Sequence, residues 1–208
     1  MSKLSTEALF SYISLLRFTH PPTSLPLVQK SLSRLRPRPS HFDSVIKNHR
    51  EKTDPTLPFP SELSLIKSTL SSHTPLHSPS LPEINFPPSP LTFLPPHLLH
   101  YTSTSVLSPH LDSVRYSGPS ISVLTLLGSA SLRLKVARPS EIDLKLTPEF
   151  GGLQILNELR TELPETIEIE LNAGEGYILS GISRYLMEHE VVGEGERYAV
   201  VFRDDLIE

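Results

Sequence analysis

The chain has 208 residues, a formal net charge of -4, and neither cysteine nor tryptophan. That length suits one medium domain with a real core. The missing thiols exclude disulfide scaffolds and thiolate metal sites, and the charge balance argues against wholesale coating of nucleic acid. No apolar stretch approaches the roughly 18 residues that a transmembrane helix needs.

All nine glycines lie at or after Gly118, whereas 17 of the 21 prolines lie at or before Pro109. The chain therefore divides into a Pro/Ser/Leu-rich first part of short pieces and a second part of strands joined by glycine-containing turns. Residues 1–40 read as a basic extension, since residues 1–42 carry Lys3, Arg17, Lys30, Arg34, Arg36 and Arg38 against the single acid Glu7. Ser5 or Thr6 is placed to cap a helix over residues 6–18, with Leu9, Ile13 and Leu16 on one face. An amphipathic, Ser-rich segment nearly free of acids reads either as a mitochondrial targeting segment or as a helix docked on the core. As a targeting segment, residues 1 to about 38 are expected to be poorly packed or frayed.

Residues 41–90 form the helical and Pro-rich start of the main domain. HFDSVIKNHREK (41–52) and SELSLIKSTLSS (61–72) read as short helices, the second opened by Ser61. His73 and His77 have helical ligand spacing, but Pro75 between them breaks the helix. Residues 91–208 turn to short β-branched or alternating runs bounded by Pro or Gly: LTFL, LLHYTSTSVL, ISVLTLL, ASLRLKV, TIEIEL, GYIL, HEVV and RYAVVFR. A helix, LQILNELRTEL, interrupts them within residues 147–164. Eight short strands predict a mainly β fold with flanking helices (α+β), a jelly-roll or double-stranded β-helix.

Ahead of one strand stands His110-Leu111-Asp112. Side chains two apart on a strand leave the same face, about 6 to 7 Å apart, so His110 and Asp112 can grip one small object, a metal ion. Alone, H-x-D is as readily surface decoration, so a third ligand is needed. His189 lies on an apolar strand before the turn containing Gly193 and Gly195, and in a jelly-roll that hairpin faces the H-x-D strand. Alternation sends Glu188 and Glu190 to the opposite face. Two imidazoles and one carboxylate on one face leave positions open and suit non-haem Fe(II). Arg197 and Arg203, six apart, share a face of the last strand. Guanidinium groups facing a barrel interior call for anions, and a short dicarboxylate satisfies both, one at its remote end and the other near Asp112.

H-x-D, a distant His and R-Y-x-x-x-F-R, with SPHLDSVRYSGPSISVLTLLGSASLRL, HFDSVIKNHREKT and YILSGISRYLMEHEV, resemble the AlkB-like Fe(II)/2-oxoglutarate dioxygenases, in particular a mitochondrial branch. The resemblance covers residues 41–53 and most of 99–205. It implies that His110, Asp112 and His189 hold iron and that Arg197 and Arg203 hold 2-oxoglutarate, which is consumed with O2. Tyr177 matches a family tyrosine at the cosubstrate, and Tyr101 stands where many of these sequences place another. Ala199 departs from the asparagine of the repair-type R-x-N pattern, and residues 138–165 are longer than the branch requires.

Two substrate classes compete. Lys30, Arg34, Arg36, Arg38, Lys47, Arg50 and Lys52 could track the phosphates of an alkylated RNA, tRNA or DNA. An enzyme that takes up a flipped base also needs stacking partners, and residues 20–100 offer only Phe42, Phe59, Phe86 and Phe93 outside any aromatic-basic pattern. The expectation is therefore a protein or small-molecule substrate, with nucleic acid second. By resemblance the role is mitochondrial, in the matrix, and tied to fatty-acid metabolism and programmed necrosis; cytoplasm or nucleus is the alternative. A non-catalytic jelly-roll binding module is the remaining reading, and it predicts a broken ligand set.

Overall fold

The structure, a computed structural model, describes residues 5–41, 44–73, 92–142, 153–193 and 195–205. Phe42, His77, Phe86 and the middle of the long 138–165 segment lie outside the described residues.

Helix α1 (Thr6–Tyr12) starts where Ser5 accepts from the Ala8 amide, then ends early. Ser14 takes a left-handed φ of 55°, and strand β1 (Leu15–Thr19) follows where the sequence predicts more helix. The reason is two-sided burial. Leu15 faces the inner core and Leu16 an outer one, so the run imitates a helical stripe although the backbone is extended. Helix α2 (Leu25–Leu32) comes next, then β2 (Arg38–Ser40) and β3 (Ile46–Thr53). β3 corrects the predicted helix over 41–52. Helix α3 (Pro60–Ser72) matches its expectation, with Pro60 at its first turn and Phe59, rather than Ser61, at the cap.

Seven of the eight predicted strands form: β4 (His97–His110), β5 (Ile121–Leu127), β6 (Ala130–Val136), β7 (Ile167–Leu171), β8 (Glu175–Leu179), β9 (Met187–Val192) and β10 (Arg197–Arg203). LTFL makes only a single bridge, Phe93 with Asp204. Helix α4 (Leu153–Glu162) fills the predicted interruption, and the short α5 (Gly181–Tyr185) precedes β9.

The strands run antiparallel in the order β1-β8-β5-β10-β4-β9-β6-β7, with β3 also on β4 and β2 on β3. The long β4 turns the corner. Its first half pairs with β10 and its last residues pair with β9 across a register shift, so the sheet curls on itself into the jelly-roll. The inner core holds Leu99, Leu132, Leu134, Ile169, Val201 and their neighbours, with α4 packed on it through Leu156 and Leu159. α2 and α3 cover the outer face through Val28, Leu32, Ile66 and Leu70, packed on Leu98, Val200 and Phe202.

The expectation of a loosely packed N-terminal segment is therefore corrected. Ile13 and Val28 are fully buried, and β1 is hydrogen-bonded along β8. The Ser180 and Ser183 hydroxyls donate to the Ser14 carbonyl at 2.9 and 3.1 Å, which ties this corner to the segment leading into β9. No helix among the described residues is long and apolar enough to cross a membrane.

Candidate metal centre

β4 and β9 are adjacent and antiparallel, and His110 and His189 stand directly opposite one another on them. Their ring centroids are 4.2 Å apart. Asp112 follows two residues beyond His110, just past the end of β4, with its Oδ2 at 3.5 Å from His189 Nε2. One ligand atom from each of the three lies within 4.8 Å of the others. His189 points inward, while Glu188 and Glu190 point out to Arg138 and Arg133, as alternation along β9 requires.

The electrostatics suit a cation. Burial, then the neighbouring His110, drives His189 down to about 3, so its imidazole is neutral and its lone pair available. Burial alone would raise the Asp112 carboxyl, but the guanidinium of Arg203 foremost holds it well below the usual range and ionised. His110 Nδ1 donates to the Ser108 carbonyl at 2.8 Å, which leaves Nε2 as the free ligand atom.

The two arginines sit as alternation predicts. Arg203 Nη2 lies 3.6 Å from Asp112 Oδ1, beside the three-residue cluster. Arg197 is 5% exposed, its guanidinium carbon lies 4.2 Å from the Tyr101 ring centroid, and its Nη1 has no hydrogen-bond partner. Tyr101 is the cross-strand partner of Arg197, and Tyr177 is buried on the neighbouring inner face. Burial raises both phenols, so both remain neutral donors. An unpartnered buried guanidinium beside two phenols is a receptor for a carboxylate.

Sequence reasoning missed two contributors. Arg184, on α5 and almost fully buried, donates through Nη1 to the Asp112 carbonyl at 2.7 Å and through Nη2 to Ser117 Oγ at 3.0 Å, clamping the loop that carries Asp112. No sequence pattern marks it, because the loop it holds lies about seventy residues away in the chain. Thr125, opposite Ala199 on the inner face, has a buried hydroxyl with no partner, so a donor stands beside the position where the repair-type asparagine is missing.

A cavity of about 600 Å3 opens beside the centre, with His41, His97, Asp112, Ser113, Tyr116 and Arg203 on its wall. Phe59 and Phe93 are not on it: Phe59 packs edge-on against Phe202 at 5.4 Å in the outer core, and Phe93 lies against the same core. Three residues of the expected basic patch are engaged within the protein. Arg38 pairs with Glu51, Lys52 pairs with Asp54, and Arg50 donates to His100 Nδ1.

No protein-family model matches the chain. In sequence it is similar to the alpha-ketoglutarate-dependent dioxygenase alkB homolog 7, mitochondrial, of Mus musculus, 24% identical over 172 residues that make up 82% of this chain and 61% of that one. To the Bos taurus protein of the same name it is 29% identical over 102 residues, 49% of this chain and 36% of that one. The chain thus spans less than two thirds of these relatives' length. In structure it is similar to OsALKBH1, with a TM-score of 0.55 at 12% identity, covering 91% of this chain and 97% of that one. A Pseudomonas putida prolyl-4-hydroxylase gives a TM-score of 0.58 at 13% identity over 95% of both chains. A Trichoplax adhaerens prolyl hydroxylase, in complex with a hypoxia inducible factor peptide fragment, gives 0.53 at 10% identity over 94% and 85%. At such identities these structural likenesses speak for the fold, a double-stranded β-helix.

Proposed function

We propose that this chain, which resembles the AlkB-like dioxygenases in sequence and has a jelly-roll fold, is an Fe(II)- and 2-oxoglutarate-dependent dioxygenase acting on a C–H bond of a protein or other non-DNA substrate. The convergence of His110, Asp112 and His189 beside an unpartnered, buried Arg197 carries the reading. The donor set fits the metal: two imidazoles and one carboxylate leave coordination positions for a bidentate acid and O2. Iron bound there, with 2-oxoglutarate and O2, supplies oxidation of a substrate C–H bond to the alcohol, with release of succinate and CO2.

The chain's own residues bind, orient and exclude water. Arg197, with Tyr101 and Tyr177, would take the remote carboxylate of 2-oxoglutarate, and Arg203 the carboxylate next to the keto group. Arg184 keeps the Asp112 loop in place. No side chain is required to act as general acid or base.

For the substrate, the described residues of the cavity wall present imidazoles, Ser113 and the exposed Tyr116 and no pair of phenylalanines to sandwich a base, which favours a peptide or small molecule over a flipped base. The peptide bound to the Trichoplax relative is a precedent for that class. The relatives' name supports a mitochondrial site of action, and the resemblance extends the proposal to a role in fatty-acid metabolism and programmed necrosis. The test is succinate release from 2-oxoglutarate by protein reconstituted anaerobically with Fe(II), then exposed to air with candidate peptides or methylated RNA. Turnover stimulated by a peptide and abolished by His189→Ala supports the reading. Stimulation by methylated RNA alone reverses the substrate assignment, and no succinate in any arm refutes the activity.

A further inference from the structure

Beside the centre, three imidazoles gather round one carboxylate. Glu51, on β3, has a side chain only 6% exposed, and its Oε1 accepts from Arg38 at 2.6 Å. Its Oε2 lies 3.0 Å from His97 Nε2 and 3.4 Å from Nε2 of both His41 and His49. The array continues inward, because His97 Nδ1 lies 3.3 Å from Arg203 Nη1. Arg203 then reaches Asp112 through its other terminal nitrogen.

The chemistry of the donors fixes the direction of this chain. A guanidinium has N–H donors and no acceptor, so His97 Nδ1 must accept from Arg203. The ring proton is then on Nε2, and it is donated to Glu51. Burial alone would raise the Glu51 carboxyl, but its histidine neighbours hold it well below the usual range, so it stays ionised as the acceptor. One buried carboxylate thereby sets the tautomer and the ring plane of an imidazole whose far side meets an arginine.

We propose that His97, anchored by Glu51, is a positioning residue that aims the Arg203 guanidinium at Asp112 and at the metal-end carboxylate of 2-oxoglutarate. The inference rests on the dioxygenase reading above and deepens it. Arg203 needs such a partner. Its side chain is 27% exposed on the cavity wall, and its contact with Asp112, at 3.6 Å, is too long to fix an orientation by itself. A flexible arginine held at one end only would spread over several rotamers and lose entropy on each binding event.

The test uses the whole 208-residue chain loaded with Mn2+ as a redox-inert stand-in, with Mn2+ and 2-oxoglutarate titrated separately by calorimetry. His97→Phe removes the acceptor and should weaken 2-oxoglutarate about tenfold, the size of one charge-assisted hydrogen bond, while leaving Mn2+ affinity within about twofold. His97→Asn places a side-chain oxygen near the former Nδ1 and should recover affinity to within about threefold of wild type. Glu51→Leu should behave like His97→Phe, and Glu51→Gln, which still accepts, like wild type. Unchanged 2-oxoglutarate affinity in His97→Phe, no recovery in His97→Asn, or equal loss of Mn2+ and 2-oxoglutarate overturns the positioning role. Should wild-type protein bind Mn2+ but no 2-oxoglutarate, the dioxygenase reading itself falls, an outcome distinct from these.

Discussion

Arg197→Met separates the cost of a buried charge from its use. In the ligand-free protein, Arg197 gains about 2 kcal/mol from the face of Tyr101. It gives up about 1 to 3 kcal/mol, or more, for the terminal nitrogen that is buried without a partner. The two nearly cancel. Methionine is comparably long and uncharged, so replacement should change stability by no more than about 1 kcal/mol, and in the stabilising direction if the unpaired nitrogen dominates. With 2-oxoglutarate present the balance tips, because the variant leaves the ligand's remote carboxylate unpaired. That loss is about 2 to 5 kcal/mol, or roughly 30-fold to several thousand-fold in Kd. Thermal melting of the Mn2+ form with and without 2-oxoglutarate reads both effects, since ligand at about 100 times the wild-type Kd adds about 2.7 kcal/mol to wild type and no more than about 1 kcal/mol to the variant. A variant clearly less stable without ligand, yet stabilised by 2-oxoglutarate as much as wild type, would show that Arg197 is a structural residue and not the receptor for the remote carboxylate.

His189→Ala should abolish tight Mn2+ binding, whereas Glu190→Ala, on the outer face, should leave it unchanged; calorimetry distinguishes them. Arg184→Met releases the Asp112 carbonyl and should weaken metal binding about 10- to 100-fold, as loss of a supporting shell does. Deleting residues 1–32 removes Ile13, Leu15, Leu16, Phe18, Val28 and Leu32 from the two cores. At about 1.5 to 3 kcal/mol each, that loss matches the whole stability of a domain, so the truncated protein should show no cooperative melt, and one that melts like wild type would restore the segment as separable. Asp204 is buried, which raises its carboxyl from 3.8 to about 6. The native state then holds that proton longer than the unfolded chain, so stability falls as pH rises between about 4 and 6, by at most about 3 kcal/mol. Asp204→Asn should flatten this part of a urea-denaturation pH profile, and an unchanged slope would assign it to other groups.

Legibility followed the direction in which polar residues point. His189 and Arg197 were readable because each interrupts an apolar strand, and period-two alternation then fixes their face. His110-x-Asp112 was readable from spacing, although only the pairing of β4 with β9 makes it a cluster. β3 failed for the opposite reason. Its inward residues are His49 and Glu51, one fully buried and the other nearly so, so polar side chains occupy the positions where a strand pattern shows apolar ones. Lys47 and Glu51, four apart, then look like a helical ion pair. The end of α1 was misread because Leu15 and Leu16 are buried on opposite faces of one strand. Arg184 carried no pattern, since its role depends on a loop about seventy residues away in sequence.

An anaerobic titration of the protein with Fe(II) and 2-oxoglutarate, followed by visible absorption, tests the metal centre most directly. A 2-oxo acid chelated to Fe(II) through its carboxylate and keto oxygen absorbs visible light, and neither partner bound elsewhere on the protein does so. A dioxygenase centre gives a band that needs both additions, saturates at one equivalent of each, and is lost in His189→Ala and weakened in Arg197→Met. Iron that binds without giving a band on addition of 2-oxoglutarate, or a band that persists in His189→Ala, would contradict it.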